Sequence, residues 1–445
     1  MRGLPLAILC LAATAVPLGA VDTSLPLPPP LTDADFAPVD QSEAALGWAL
    51  FYDPVLSGNR NISCATCHHP SFATSDGLSL GMGEGGVGLG PARAADPANL
   101  PEARIPRNSP ALFNLGAYEF IVMFHDGRIE VDPSRPGGLR TPLEADMPQG
   151  FASLLAAQTM FPVLSPEEMA GQYNENDISR AVRQGRISGP GGAWDLIAGR
   201  VAGIPAYAED FARVYPHIAA GAPIGFTDIS NAIAAFIELE WRADNSAFDR
   251  HLRGEAPLTG AAAEGMALFY GEAGCAACHS GALQTDHGFH AMGQPQLGPG
   301  KAARFENSSR DMGRYRVTGR EEDKYAFRTP SLRNVTLTGP WGHAGAFSDL
   351  RAFLRHHLDP VTGLDAYAPQ AVLPDLPETR DWAVMDEVGE RADIALSVMF
   401  RPVALSDAEI DALLAFLAAL EDRDAVAGVF GVPDAVPSGL EVDRE

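Results

Sequence analysis

The pentapeptide Cys64-Ala65-Thr66-Cys67-His68 recurs as Cys275-Ala276-Ala277-Cys278-His279. C-x-x-C-H is the attachment pattern of a c-type haem. Two thiols three positions apart form thioethers to the vinyl groups of one porphyrin, and the adjoining histidine is placed to ligate the iron. A zinc site would need a second Cys or His pair beside each motif, and a thioredoxin-like pair would need a βαβ setting. The sequence offers neither, so each motif is assigned one covalent haem c. The remaining cysteine, Cys10, lies in a segment that reads as a secretory signal. With every other thiol committed, hydrophobic cores and two haems hold the chain, and no disulfides are expected.

That signal covers residues 1–20: Arg2, an apolar run from Leu4 to Val16, then Leu18-Gly19-Ala20 at the cleavage point. It is too short for a membrane span and implies export to the periplasm. Residues 21–40, with Pro26, Pro28, Pro29 and Pro30, read as an extended tether. A formal charge of -25 argues against nucleic acid and anionic lipid as partners. It suits the steering of a small basic redox partner, and it serves solubility equally well. Abundant glycine (45) and proline (36) predict short helices joined by long turns.

A short helix over 43–52 leads into the first haem motif. Its ending, Gly47-Trp48-Ala49-Leu50-Phe51-Tyr52, is echoed before the second motif as Gly265-Met266-Ala267-Leu268-Phe269-Tyr270. The echo implies two copies of one haem-binding domain. Ile229, Ile233, Phe236 and Ile237 fall at helical spacing over 228–241. A last helix starts at the capping box Ser406-x-x-Glu409 and buries Ile410, Leu413, Leu414 and Leu417. No alternating strand pattern stands out. The fold class is therefore all-α, two cytochrome c-like haem domains with long loops. The N-terminal haem domain is placed at 41–254 and the C-terminal one at 255–402, with a boundary within 244–258. A C-terminal helix and tail, 403–445, pack back on both. Gly81-Met82-Gly83-Glu84-Gly85-Gly86 matches G-x-G-x-x-G, but with no strand before it and no clear helix after it this reads as a flexible loop.

Several segments together resemble the bacterial di-haem cytochrome c peroxidase and MauG superfamily. They are Leu56-Ser57-Gly58-Asn59, Arg107-Asn108-Ser109-Pro110, Phe124-His125-Asp126-Gly127-Arg128, Pro162 to Met169, Ala247-Phe248-Asp249-Arg250 and Phe327-Arg328-Thr329-Pro330-Ser331-Leu332-Arg333-Asn334. The resemblance spans about residues 41–420. It implies that the N-terminal haem handles hydrogen peroxide and the C-terminal haem relays electrons. The electrons would come from a small c-type cytochrome or cupredoxin, or from a protein substrate; a homodimer is an open assembly state.

The second haem needs a sixth ligand. Leu350, Phe353, Leu354 and His357 fall on one helical stripe, which puts His357 on the buried face and His356 on the flank. A histidine there can also be a hydrogen-bonded core residue. The family places its distal ligand fourteen residues after the histidine of P-x-x-H-x-G. Pro340-Trp341-Gly342-His343-Ala344-Gly345 supplies that motif, so the resemblance selects His357, with Met292 and His290 in reserve. The first haem looks open, because no histidine occurs between His69 and His125. Met82 is the other conceivable ligand, read here as a mobile surface residue.

Heterolysis of a peroxide needs a base that takes a proton from one oxygen and delivers it to the other. Ser165-Pro166-Glu167-Glu168 reads locally as a capping box, with Glu168 spent on the helix start. The family's catalytic glutamate stands six residues after a proline and before a methionine, as Glu168 does after Pro162 and before Met169. Gln158 matches the family's distal-pocket glutamine. By the same resemblance Asn108, Thr338 and Pro340 form a calcium site and Arg328 faces a haem propionate. Two departures stand out. His125 replaces the family's inter-haem tryptophan, with Trp341 as another substitute, and an insertion at roughly Glu130 to Phe151 reads as a surface loop or a partner-docking lid. The implied activity is that of a di-haem peroxidase. The rivals are a MauG-like oxidase acting on a partner protein, and a plain electron-carrying cytochrome in which Glu168 only caps its helix.

Overall fold

The computed structural model describes residues 25–301 and 308–444, so the signal read over 1–20 lies outside the described residues. The chain is mostly helical. Three small antiparallel sheets of two- and three-residue strands add to the helices. No helix among the described residues is long and apolar enough to cross a membrane.

Of four hydrophobic clusters among the described residues, the two largest are each built on a duplicated helix pair. Helix Gln41–Tyr52 packs on helix Phe226–Glu240 in the first, and helix Gly260–Tyr270 packs on helix Asp407–Ala418 in the second. Each pair closes through the glycine of the sequence echo. A Cβ on Gly47 would stand 1.8 Å from the Ala232 carbonyl oxygen, and one on Gly265 1.9 Å from that of Ala412. Only glycine allows backbones that near. Beside each crossing, Phe51 meets Phe236 at 5.1 Å and Phe269 meets Phe416 at 5.1 Å.

The duplication runs further than the echo. Ser109-Pro110-Ala111-Leu112-Phe113-Asn114 and Thr329-Pro330-Ser331-Leu332-Arg333-Asn334 take equivalent places. Asn114 (φ 60) and Asn334 (φ 58) both occupy the left-handed region, which asparagine tolerates. Asn114 Oδ1 accepts from Ala243 N at 2.7 Å, and Asn334 Oδ1 from Asp422 N at 2.6 Å. Each asparagine thereby ties the loop after its haem motif to the end of its long helix.

Four expectations change. Residues 25–40 are no free tether: Leu25 N donates to Tyr270 O (2.7 Å), while Leu31 and Phe36 are buried in the first core. The C-terminal stretch divides, with its helix in the second core and Ala425, Val436 and Val442 in the first. The insertion carries strands Ile129–Val131 and Leu139–Arg140 and buries Met147. Arg314 of the second half reaches it at Glu130 (2.7 Å), so it is braced in place. The glycine-rich loop is likewise fixed: Met82 is buried, not a surface residue.

Candidate active site

Each haem motif winds as a 3-10 turn, Cys64–Thr66 and Cys275–Ala277. The histidine N–H then bonds back to the first cysteine carbonyl, at 3.0 Å for His68 and 2.9 Å for His279. His68 Nδ1 lies 3.0 Å from Thr74 O, and His279 Nδ1 lies 3.1 Å from Gln284 O. Thr74 (φ 64) and Gln284 (φ 50) are both left-handed, which turns those carbonyls toward the rings. A bond of this kind puts the proton on Nδ1 and leaves the Nε2 lone pair for a metal. None of the four motif cysteines is in a disulfide. Burial pushes Cys64 up to about 12 and Cys275 up to about 11, which makes them poor zinc ligands and poor redox nucleophiles. The thiols and rings fit covalent haem. Cys278, Asp286 and His290 bring donor atoms within 4.8 Å of one another. A thioether at Cys278 would leave only two ligands there, too few for a separate metal site.

Helix Leu350–Leu358 presents His357 to the second motif, with Leu350 and Leu354 packed on the second core. His357 Nδ1 lies 2.9 Å from Phe353 O, so this third ring also has its Nδ1 occupied and its Nε2 available. Burial pulls His279 down to about 4, and the nearby His357 adds to that fall. His356 is not on an open flank. It is 2% exposed, with Nε2 3.0 Å from Met292 O and helix Pro360–Asp365 covering it. The reserve ligand His290 is bound to Asp286 at 2.9 Å. Arg328 is held by Phe124 O and Thr329 O, each at 3.2 Å. Burial alone pulls its guanidinium down to about 10, with no carboxylate opposing the fall. A haem propionate would satisfy that cation.

Near the first motif, Glu168 stands on a π-turn, Pro166–Ala170. The capping box read from the sequence does not form. Ser165 makes no side-chain cap bond, its hydroxyl goes to Glu167 (3.2 Å), and its N–H goes to Pro162 O. Glu168 still engages the first residue of the turn: its N donates to Ser165 O (3.2 Å), and a hydrogen bond from the Ser165 side chain reaches its carboxyl. Burial pushes its carboxyl above the usual glutamate range, against the pull of Lys301 and Arg128. Burial also pulls Lys301 down to about 8, with Arg128 and Arg107 adding. Glu168 is near enough to Cys67 to reinforce the burial that raises that thiol. Gln158, on helix Leu154–Thr159, has a buried Oε1 with no hydrogen-bond partner among the described residues. Lys301 and Arg128 were given no role from the sequence, because nothing local marks a charge that acts on a group remote in the chain.

Asn108 donates from its backbone to His343 O (2.9 Å) and from Nδ2 to Leu78 O (2.8 Å), which leaves Oδ1 facing away from both. Among the described residues no donor is bonded to the Thr338 or Pro340 carbonyl. These oxygens are the hard donors a calcium ion takes. At the junction of the halves, burial holds His125 well below its ordinary value, with Arg107, His343 and Arg328 adding. His343 stacks on Phe327 at 3.8 Å. Trp341 stays within the second half, with its indole N–H on Val335 O (2.8 Å).

Two C-x-x-C-H motifs on a duplicated helical scaffold, one with a second imidazole nearby and one with a carboxyl nearby, are the pattern of a di-haem c-type protein. The model of the di-haem cytochrome c peroxidase family matches residues 41–257. The methylamine utilization protein MauG of Methylorubrum extorquens is 33% identical over 72% of this chain and 70% of its own. The cytochrome c peroxidase Ccp of Escherichia coli is 31% identical over 69% of this chain and 51% of its own. The fold is shared with a solved MauG-like protein associated with microbial copper homeostasis, at TM-score 0.55 and 24% identity over 92% of this chain and 96% of that one. It is shared also with the di-haem peroxidase BthA of Burkholderia thailandensis, at TM-score 0.54 and 22% identity over 96% and 97%. The chain belongs to the di-haem cytochrome c peroxidase family, oxidoreductases acting on peroxide with two c-type haems.

Proposed function

We propose that this chain reduces hydrogen peroxide to water at its first haem. Two electrons pass through the second haem from a small c-type cytochrome or cupredoxin in the periplasm. The observation that carries this reading is Glu168: a largely desolvated carboxyl, raised in pKa, on a π-turn close enough to the first attachment motif to act on Cys67. The haems supply the redox-active iron that binds peroxide and stores electrons. His68 holds the first iron through Nε2, its Nδ1–H on Thr74 O making the ring a stronger donor. Glu168 takes a proton from the near oxygen of peroxide and gives it to the departing one, which leaves as water; the two protons that accompany the two electrons and turn the remaining oxygen into the second water come from solvent. Its raised pKa keeps that proton transferable near neutral pH. Gln158 Oε1 accepts a hydrogen bond from bound peroxide. His279 and His357 would hold the second haem iron, and an imidazole in place of a thioether ligand would give it a lower potential. Asn108 Oδ1 and the Thr338 and Pro340 carbonyls hold a calcium ion between the halves, and chelation tests this by lowering the rate of inter-haem electron transfer.

A MauG-like oxidase is the second reading, favoured by the imidazole at the second haem and by the 33% identity to MauG. Rapid mixing of the reduced holoprotein with peroxide, followed in the Soret band, tests the main reading. A Glu168→Gln variant reacting as fast as wild type would remove Glu168 from it. Turnover of reduced cytochrome c supports the peroxidase; reaction with peroxide but no such turnover supports the oxidase.

A further inference from the structure

We propose that the glycine-rich loop Gly81–Gly86, pinned by Arg93, is the element that positions Glu168; this rests on Glu168 being the acid–base group. The loop has the glycine spacing of a dinucleotide site but is put to a different use. Arg93, 5% exposed, points its guanidinium into the loop. Its Nε donates to Met82 O, its Nη1 to Gly88 O (2.5 Å), and its Nη2 to Gly83 O and Gly86 O (2.8 Å each). One planar cation thereby gathers four carbonyls within seven residues, and a loop held this way is not a mobile one.

The pinned loop abuts the turn of Glu168. A Cβ on Gly83 would lie 2.4 Å from the carbonyl oxygens of both Glu167 and Glu168, and 2.8 Å from Glu168 Cα. Next along the loop, Glu84 N donates to Glu167 O (3.2 Å). The buried Glu84 carboxylate is anchored in turn, its Oε1 accepting from Asn59 Nδ2 (2.8 Å) and Asn61 Nδ2 (3.0 Å). A π-turn has carbonyls left over, and here outside donors take them. Glu84 N serves Glu167 O, Gly58 N serves Met169 O (2.7 Å), and Asn176 Nδ2 serves Ala170 O (3.0 Å). Gly58 approaches as closely as Gly83 does, since its Cβ would stand 1.9 Å from Ala170 O. Glu168 therefore sits on a π-turn that its own sequence does not favour, held by two glycine contacts and one arginine. Such π-turns concentrate at functional sites.

Relieving the Gly83 contact to ordinary separation moves the turn by roughly 1 Å, and a displacement of that size can cost about a hundredfold in rate. The test uses the holoprotein with Gly83→Ala, Arg93→Lys, Glu168→Gln and the double variant Gly83→Ala/Glu168→Gln. Haem content and the low-spin spectrum of the second haem report folding. Peroxide reaction rates are measured from pH 5 to pH 9, and amide hydrogen exchange is followed over residues 165–171. Gly83→Ala is expected to slow the reaction tenfold to a hundredfold, move the acid limb of the pH profile and quicken exchange in the turn. Arg93→Lys acts in the same direction, more weakly, and the double variant is no slower than Glu168→Gln. A Gly83→Ala rate within twofold of wild type with an unmoved acid limb overturns the proposal, as does a double variant whose losses multiply. If Glu168→Gln itself reacts at the wild-type rate, the acid–base assignment falls. Quickened exchange in Gly83→Ala would then still uphold the loop's grip on the turn, and unchanged exchange would remove it.

Discussion

Replacing Arg107 with methionine removes the cation that joins the two halves of the molecule. Its Nε and Nη2 bind Asp311 of the second half at 2.7 and 2.8 Å, and its Nη1 stands 2.7 Å from Asp126 of the first. All three side chains are nearly sealed, at 6%, 3% and 3% exposure. Asp126 would keep Arg128 at 3.1 Å, but Asp311 would be left without a cation. Removing one partner of a buried pair costs about 3–5 kcal/mol, because the other charge stays desolvated. The pH dependence gives the sign. In wild type Arg107 holds both aspartates below the ordinary range despite their burial, so they stabilise the fold above about pH 4 and lose that contribution as pH falls. In Arg107→Met burial acts on Asp311 against only His343 and the Gly313 N–H, and raises its pKa. The variant is then least perturbed at low pH, where Asp311 is neutral, and the deficit grows as pH rises through the new pKa. For a chain of this length each kcal/mol moves the midpoint by roughly 1–2 °C. Thermal melts of the holoprotein should therefore show a fall of roughly 3–10 °C at pH 8 and much less at pH 5. The double variant Arg107→Met/Asp311→Leu should recover most of it. A loss below about 1 °C at pH 8, or an equal loss at both pH values, would refute the reasoning.

Other predictions rest on single contacts. His357→Gly should abolish the low-spin signature of the second haem, and His356 should not replace it, because its Nε2 is taken by Met292 O (3.0 Å); electron paramagnetic resonance reads the outcome. Gly265→Ala places a methyl 1.9 Å from the Ala412 carbonyl and should destabilise the second core by about 1–3 kcal/mol. Gly389→Ala, in helix Val388–Leu396 with nothing within 4 Å, should instead stabilise by about 0.5–1 kcal/mol, and denaturant titration separates the two signs. Arg328→Gln removes a buried cation with no carboxylate beside it and should lower the potential of the second haem in a potentiometric titration, since a nearby positive charge favours the reduced iron.

What the sequence displays is what covalent chemistry and close packing force on it. A haem thioether requires cysteines at fixed spacing, and a helix crossing at contact distance requires Gly47 and Gly265, so both repeats stand out. The equivalence of Asn114 and Asn334 was also legible, four residues after Pro110 and Pro330, but it shows only when the two loops are set side by side. Periodicity finds one buried face of a helix. It gave His357 its stripe and missed His356, which helix Pro360–Asp365 covers from the other side. At Glu168 the local signal pointed to an α-helical start, and tertiary partners remote in sequence (Gly58, Gly83, Asn176) impose the wider turn. Prolines announce an extended chain over residues 25–40, but not that Leu31 and Phe36 lie in the first core.

The duplication also explains how one scaffold comes to hold two unlike irons. Attachment, the proximal ring and the carbonyl that orients it are the same in both halves, as the paired distances at His68 and His279 attest. All the difference enters through segments lying between the repeated landmarks. In the first half residues 77–105 carry the pinned glycine loop and residues 122–226 carry Glu168. In the second, residues 335–402 carry His357. Under the proposed function, an imidazole would fill a coordination site at the second haem, while a carboxyl on a pinned turn would leave that of the first open and add a proton carrier. Electron passage between such centres is useful only at a fixed separation. The strongest contacts between the halves are buried ion pairs, Arg107 with Asp311 and Arg314 with Glu130, rather than a flexible linker. The first of these pairs flanks His125, where the family's indole would stand. Weakening it should therefore slow electron transfer between the haems even where the melt of each core is unchanged, a result that flash reduction of the second haem would read directly.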